Sequence, residues 1–266
     1  MKVRFISALV ALPLLIIPLI LGGTVLTVLA VLISLLGIYE FYHAFGIKDK
    51  KLYGIGATFT VLYYLLIYFD RLDYFMPLLG ILVMVCLATF VIFYDKSNLM
   101  NIVCVPMGFI YVPYLISHVV LVRNHETMGM VAVWLVFLTA FGSDTFAYFF
   151  GRAFGKHKLA ATLSPNKTIE GSIGGLFGAV VFNLVYLAIL YCVGYEVDGH
   201  WVLRFVLIGL FGSVLAQIGD LAASGMKRYT KIKDFGHIMP GHGGVLDRLD
   251  SVLFTAPLVF YILMFL

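Results

Sequence analysis

The sequence predicts an all-α fold: a polytopic membrane helical bundle of about nine transmembrane helices with its N-terminus in the cytoplasm. Three observations carry this. Sixty-two per cent of the 266 residues are hydrophobic and 12% are charged, against roughly 25% charged in ordinary soluble domains, and the mean hydropathy is +1.03. Nine stretches stay apolar over about the twenty residues that a spanning helix needs. The basic residues fall almost entirely on one side of those stretches. In lipid only helices or closed barrels satisfy the backbone, and the apolar runs have helical length.

The predicted spans are 5–22, 24–45, 53–69, 73–94, 99–122, 130–151, 170–194, 202–222 and 245–266. The first run follows Lys2 and Arg4 and so looks like a signal peptide. It lacks a small-residue cleavage site, however, and a second apolar run follows at once, so it reads as a retained first span. Only Gly22 and Gly23 divide the first two runs, and merging them would give an overlong helix. Residues 1–130 supply five spans and short connectors. Residues 131–266 form a C-terminal transmembrane region that carries the polar motifs.

Orientation follows from Lys and Arg. An internal N-terminus puts 15 of the 18 basic residues inside, leaving only Arg71, Arg123 and Arg204 outside. Without the two long inner loops, Lys2, Arg4, Lys48, Lys50, Lys51 and Lys96 still give six against three. This is a strong positive-inside signal. Cys86, Cys104 and Cys192 lie inside apolar runs without paired or metal-ligand spacing and read as small hydrophobes.

Polar residues gather in three inner-side clusters of the C-terminal half. The first is "GSDTFAYFFGRAFGKHKLA" (142–160), where Asp144 interrupts an apolar run. Ionisable groups there are expensive and functional by default, although pairing with a neighbouring helix is the structural alternative. Asp144, Tyr148 and Gly151 share a helix face. The second is "LSPNKTIEGSIGG" (163–175). Ser164-Pro165 suggests a turn, Thr168 suits an N-cap, and Glu170 suits the first helical turn. Lys167 precedes that N-terminus and could meet an anion there, or simply anchor the inner side. Gly171, Gly174, Gly175 and Gly178 form a small-residue stripe that reads as helix packing.

The third cluster is "QIGDLAASGMKRYTKIKDFGHIMPGHGGVLDRLDS" (217–251). Asp220, Ser224 and Lys227 fall on one helix face. A glycine-rich bend follows, and Asp247 and Asp250 lie three apart at the start of the last helix. Acids beside Lys and Arg suit a metal-chelated polyphosphate: carboxylates hold Mg²⁺, which keeps waters and phosphates. Arg grips phosphate bidentately, and glycines let backbone N–H groups approach an anion. His242 has no second His or Cys beside it, which disfavours zinc. A solvated basic loop is the plain alternative. It does not account for Asp144, Asp220, Asp247 and Asp250 all standing at inner helix ends.

The segment Ser224–Asp250, S-G-M-K-R, four residues, then K-D-F-G-H-I-M-P-G-H-G-G-V-L-D-R-L-D, resembles the signature of the phosphatidate cytidylyltransferases, the CDP-diacylglycerol synthases. "DTFAYFFGRAFGKHKL" and "SPNKTIEG" resemble further shared stretches of that family. The likeness is clear over about 140–266, while the N-terminal half matches only as spans. Departures are Met239 for Ile, Leu or Phe, Ala223 for a frequent Glu, Asn166 for Lys and Ile169 for Trp.

The resemblance implies a nucleotidyltransferase of phospholipid biosynthesis that makes CDP-diacylglycerol and pyrophosphate from CTP and phosphatidate. It implies Mg²⁺, with a second metal ion left open, and catalysis within 131–266. Asp220 and Asp247 are then expected as metal ligands, with Asp144 and Asp250 in support. Lys227, Arg228, Lys233 and Arg248 would hold phosphates and Lys167 the lipid head group. Ser224, His242, Gly243 and Gly244 would complete substrate binding. The expected setting is the bacterial inner (cytoplasmic) membrane with the site facing the cytoplasm. A homodimer is left open, and no nucleic acid is expected as partner. Transfer of CMP to an ether-lipid or prenyl phosphate is the alternative within the class. An ion-coupled transporter is the alternative outside it, disfavoured because no inverted repeats or paired broken helices are evident.

Overall fold

The computed structural model describes residues 2–238 and 243–266, with backbone alone over 2–11. The chain is a polytopic helical membrane protein. Its helices are α1 (Lys2–Leu21), α2 (Gly23–Ala44), α3 (Lys50–Tyr68), α4 (Phe75–Ile92), α5 (Leu99–Phe109), α6 (Leu115–Arg123), α7 (Gly129–Phe154), α8 (Ile169–Val193), α9 (Gly199–Tyr229) and α10 (Leu246–Phe265). Among the described residues, eight spans are long and apolar enough to cross a membrane, α5 and α6 counting as one. The first predicted span is represented there by Leu12–Leu21; its remainder lies outside the residues whose side chains are described.

Three local features explain where helices break or run on. Gly22 and Gly23 both have positive φ, 66° and 49°, which separates α1 from α2 at little steric cost. Between α5 and α6 the chain passes through a π-helical segment, Ile110–Tyr114. Pro113 lies within it and cannot donate the N–H that an α-helix requires. Helix α9 is longer than its apolar run predicts and reaches Tyr229, so Ser224, Lys227 and Arg228 are helical.

One element departs from the expectation of helices alone. Lys158–Ala160 (β1) pairs antiparallel with Ser164–Thr168 (β2), with an irregular register between Lys158↔Thr168 and Ala160↔Ser164. The turn expected at Ser164-Pro165 falls instead at 161–163. A two-stranded ribbon has only edges, so Pro165 is tolerated there, and its carbonyl accepts from Lys158 Nζ at 2.7 Å.

The chain divides into two compact units. One comprises the residues up to Leu121 together with Thr230–Arg248, the other Val122–Tyr229 together with Leu249–Leu266. In the first, Phe41, Tyr42, Tyr63, Tyr64 and Phe109 are fully buried. The three tyrosine hydroxyls are satisfied internally, as lipid demands: Tyr42 donates to Val105 O at 3.0 Å, and Tyr64 and Tyr63 pair with Ser34 and Ser117, each at 2.9 Å. In the second unit the small-residue stripe lets α8 lie directly on α7. A Cβ on Gly171 would stand 2.7 Å from Ala147 O, and one on Gly175 2.8 Å from Ser143 O. The stripe is therefore packing surface, as its spacing predicts.

Candidate active site

In the second unit, the C-terminal part of α7, the β1–β2 hairpin, the start of α8 and the later turns of α9 surround a cavity of about 470 Å³. Thr168 caps α8, its Oγ1 accepting from Gly171 N at 3.1 Å, which fixes where β2 ends and the helix begins. Glu170 ties the preceding loop to that turn. It accepts from Lys156 N at 3.0 Å and from His157 N at 3.2 Å, and it lies 2.7 Å from His157 Nδ1.

Charged side chains meet at the cavity. Asp144 and Tyr148 from α7, Lys167 from β2 and Asp220 from α9 all line it. Lys167 forms an ion pair with Asp220, and each side chain is about a quarter exposed, 25% and 27%. Ser224, one turn on, donates from Oγ to Asp220 Oδ1 at 3.4 Å. Asp250 interacts electrostatically with Asp220, Asp144 and Lys227. Its neighbour Ser251 donates from Oγ to Asp144 Oδ2 at 3.4 Å. Asp144, Asp220, Asp250, Lys167, Ser224 and Lys227 thus belong to one electrostatic cluster, although the sequence spreads them over more than a hundred positions.

Can this donor set hold a metal ion? Among the described residues no three His, Cys, Asp or Glu side chains already converge as a ligand cage. A small hard dication does not need one, since it binds through one or two carboxylates and completes its shell with water and phosphate. The carboxylates of Asp144, Asp220 and Asp250 offer oxygen donors beside the ammonium groups of Lys167 and Lys227. That chemistry fits a magnesium-like ion.

The rest of the signature lies in the first unit and is organised differently. Asp247, on the first turn of α10, accepts through Oδ2 from Phe235 N at 2.8 Å and from Gly244 N at 3.0 Å. Gly243 has φ +85°, a conformation that favours glycine. The N–H of Gly244 is therefore directed at Asp247, and what this residue gives the loop is close backbone approach. Lys233 and Arg248 are exposed, as is Arg228 at the end of α9 in the second unit. His242 and Met239 lie outside the described residues.

Sequence reasoning passed over several participants. Arg152 lines the cavity one turn beyond Tyr148 and hydrogen-bonds Tyr148 Oη at 3.2 Å; its basic neighbours made it look like an orientation signal only. Gln217 pairs with Ser172 Oγ and donates from Nε2 to Ser213 Oγ at 3.2 Å. Glu40 is the largest omission. It is 1% exposed within α2, and an acid inside an apolar run was itself the available signal.

A helical membrane protein with an acid-and-ammonium cluster on its cavity suits an enzyme that handles charged groups beside lipid. The chain belongs to the cytidylyltransferase family, whose model matches residues 2–266, and so is a nucleotidyltransferase. It is 35% identical over 265 residues to a phosphatidate cytidylyltransferase of Staphylococcus haemolyticus. It is 33% identical over 271 residues to one of Staphylococcus aureus and 35% identical over 274 to one of Staphylococcus epidermidis. In each case the match covers 97% of both chains.

Proposed function

We propose that the chain transfers the cytidylyl group of CTP to phosphatidate, releasing pyrophosphate and forming CDP-diacylglycerol, at the cytoplasmic face of a bacterial inner membrane. Its likeness to phosphatidate cytidylyltransferases over 97% of its length is the observation that carries this reading. The 15-to-3 asymmetry of basic residues supports the orientation.

A phosphatidate oxygen attacks the α-phosphorus of CTP in line. One P–O bond forms as the bond to pyrophosphate breaks, and no covalent enzyme intermediate is required. Positioning and charge neutralisation dominate such transfers. Asp144, Asp220 and Asp250 are the acids that would hold Mg²⁺, which supplies positive charge against the phosphates when bound. Asp247 shapes the turn at the start of α10, accepting from Phe235 N and Gly244 N. Lys167 and Arg152 face the cavity and offset a phosphate there. Lys227, Arg228, Lys233 and Arg248 supply the remaining cations. Ser224 holds Asp220 in place.

The test is CTP-dependent formation of a CDP-lipid by the purified protein, with and without Mg²⁺. Phosphatidate, an ether-lipid phosphate and a prenyl phosphate would be compared as acceptors. Mg²⁺-dependent product with phosphatidate foremost is expected. A preference for another acceptor would move the substrate, and the absence of any CDP-lipid would overturn the reading.

A further inference from the structure

Glu40 lies far from the signature in sequence yet is bonded to it. Its Oε1 accepts from Val245 N and its Oε2 from Leu246 N, both at 3.0 Å, across 205 and 206 positions of chain. These N–H groups lead into the N-terminus of α10, where backbone donors lack helical partners and the dipole favours an anion. Gly236 and Gly244 close on the same carboxyl group. A Cβ on either would run into the Glu40 side chain. With Asp247 taking the N–H of Gly244, carboxylates hold three consecutive peptide groups of this turn. Val245, Leu246 and Asp247 are buried, whereas Arg248, the next residue, is exposed.

A serine or threonine would suffice to cap a helix, and burying a carboxylate is costly. What a carboxylate adds is two oxygens that grip two successive N–H groups, which sets the rotation of the first turn as well as its end. We propose that Glu40 is a positioning residue of the transferase: it fixes the turn from which Arg248 projects and so sets how well that guanidinium meets the nucleotide phosphates. This rests on the functional reading above. It also gives α2, from the half of the chain that the sequence reduces to spans, a part in substrate binding.

The test compares Glu40→Gln, Glu40→Asp and Gly236→Ala with the unsubstituted protein. Steady-state kinetics would vary CTP and lipid separately, and hydrogen exchange would be read at the amides of Val245 and Leu246. Glutamine keeps the shape but sets an NH₂ against a backbone N–H. It is expected to raise KM for CTP about tenfold, the worth of one charge-assisted hydrogen bond, with KM for the lipid unchanged. Aspartate, which keeps the charge, should recover part of that loss. Gly236→Ala retains the acid but crowds it and should follow glutamine, which keeps the test intact if Glu40→Gln does not fold.

A merely structural role predicts less folded enzyme with an unaltered KM for CTP in what remains, and that result would overturn the proposal. If the unsubstituted protein makes no CDP-lipid, the functional reading fails by itself. The local claim is then judged by exchange, and protection at Val245 and Leu246 unchanged by Glu40→Gln would overturn it.

Discussion

In the turn that opens α10, the carboxylates of Glu40 and Asp247 are occupied by backbone N–H groups of Phe235, Gly244, Val245 and Leu246. In the second unit, Asp144, Asp220 and Asp250 instead meet the ammonium groups of Lys167 and Lys227, two hydroxyls and each other, with a single backbone N–H, that of Ser251, on Asp250. Both regions contain acids within largely apolar helices, and a composition count would treat them alike. The difference lies in what balances the charge. Backbone donors satisfy an acid and fix its surroundings. Acids that repel one another favour added positive charge, which a metal ion would supply.

The sharpest way to break that comparison is Asp220→Asn. The ion pair with Lys167 is about three-quarters buried, so stranding that ammonium should cost up to about 3 kcal/mol of stability. Turnover of CTP should fall on the order of a hundredfold or more, the scale of removing one preorganised electrostatic contact. Thermal unfolding and initial rates on the same preparation would show the two effects apart. Near-normal turnover would remove Asp220 from the reaction.

Asp247 tests the other region. The N–H groups of Phe235 and Gly244 converge on Oδ2, a place that the amide oxygen of Asp247→Asn can take while the charge is lost. Loss of turnover with an unchanged melting temperature is expected, which would give this acid a chemical role beside its structural one. Asp247→Ala should in addition cost about 1–3 kcal/mol, because two buried donors are stranded. Full activity in the asparagine variant would assign Asp247 to the backbone alone, and the two regions would then separate completely.

Legibility followed from how local each feature is. Spans could be read because lipid imposes their length and polarity. Thr168 and the glycine stripe could be read because a cap and a close helix contact depend on neighbours three or four positions away. Asp144 and Asp220 stood out as charges within apolar runs. The hairpin was hidden, since strands of three and five residues containing Pro165 show no period to read. Glu40 was hidden differently. Its charge was visible, but its partners are main-chain groups about two hundred positions on, and no side-chain pattern announces them. The same holds for Gly244, whose N–H suits an anion on paper and is directed at Asp247 in the fold.

Gly175→Ala probes the packing that brings α7 and α8 together. The added methyl would meet the backbone carbonyl of Ser143 at 2.8 Å, and a backbone yields less readily than a side chain. A loss of about 1–3 kcal/mol is expected from such overpacking, measured as thermal unfolding in detergent. Disturbed helix contact should reduce the amount of folded enzyme.

The smallest effect is expected at Asn183, which asks whether a buried polar group without charge also marks a site. Asn183 is fully buried in α8. Its Nδ2 donates to Thr139 Oγ1 at 2.9 Å and to Phe205 O at 3.3 Å, joining α7, α8 and α9. Every polar group there has a partner and none carries charge, so nothing remains to attract a ligand. Interhelical hydrogen bonds in membranes average about 0.6 kcal/mol, because the separated helices also find partners in lipid. Asn183→Ala should therefore lower stability by about 1 kcal/mol once the small cavity is included, with KM for CTP unchanged. A large loss of turnover at unchanged stability would mean that polarity alone, and not uncompensated charge, distinguishes the working part of this bundle.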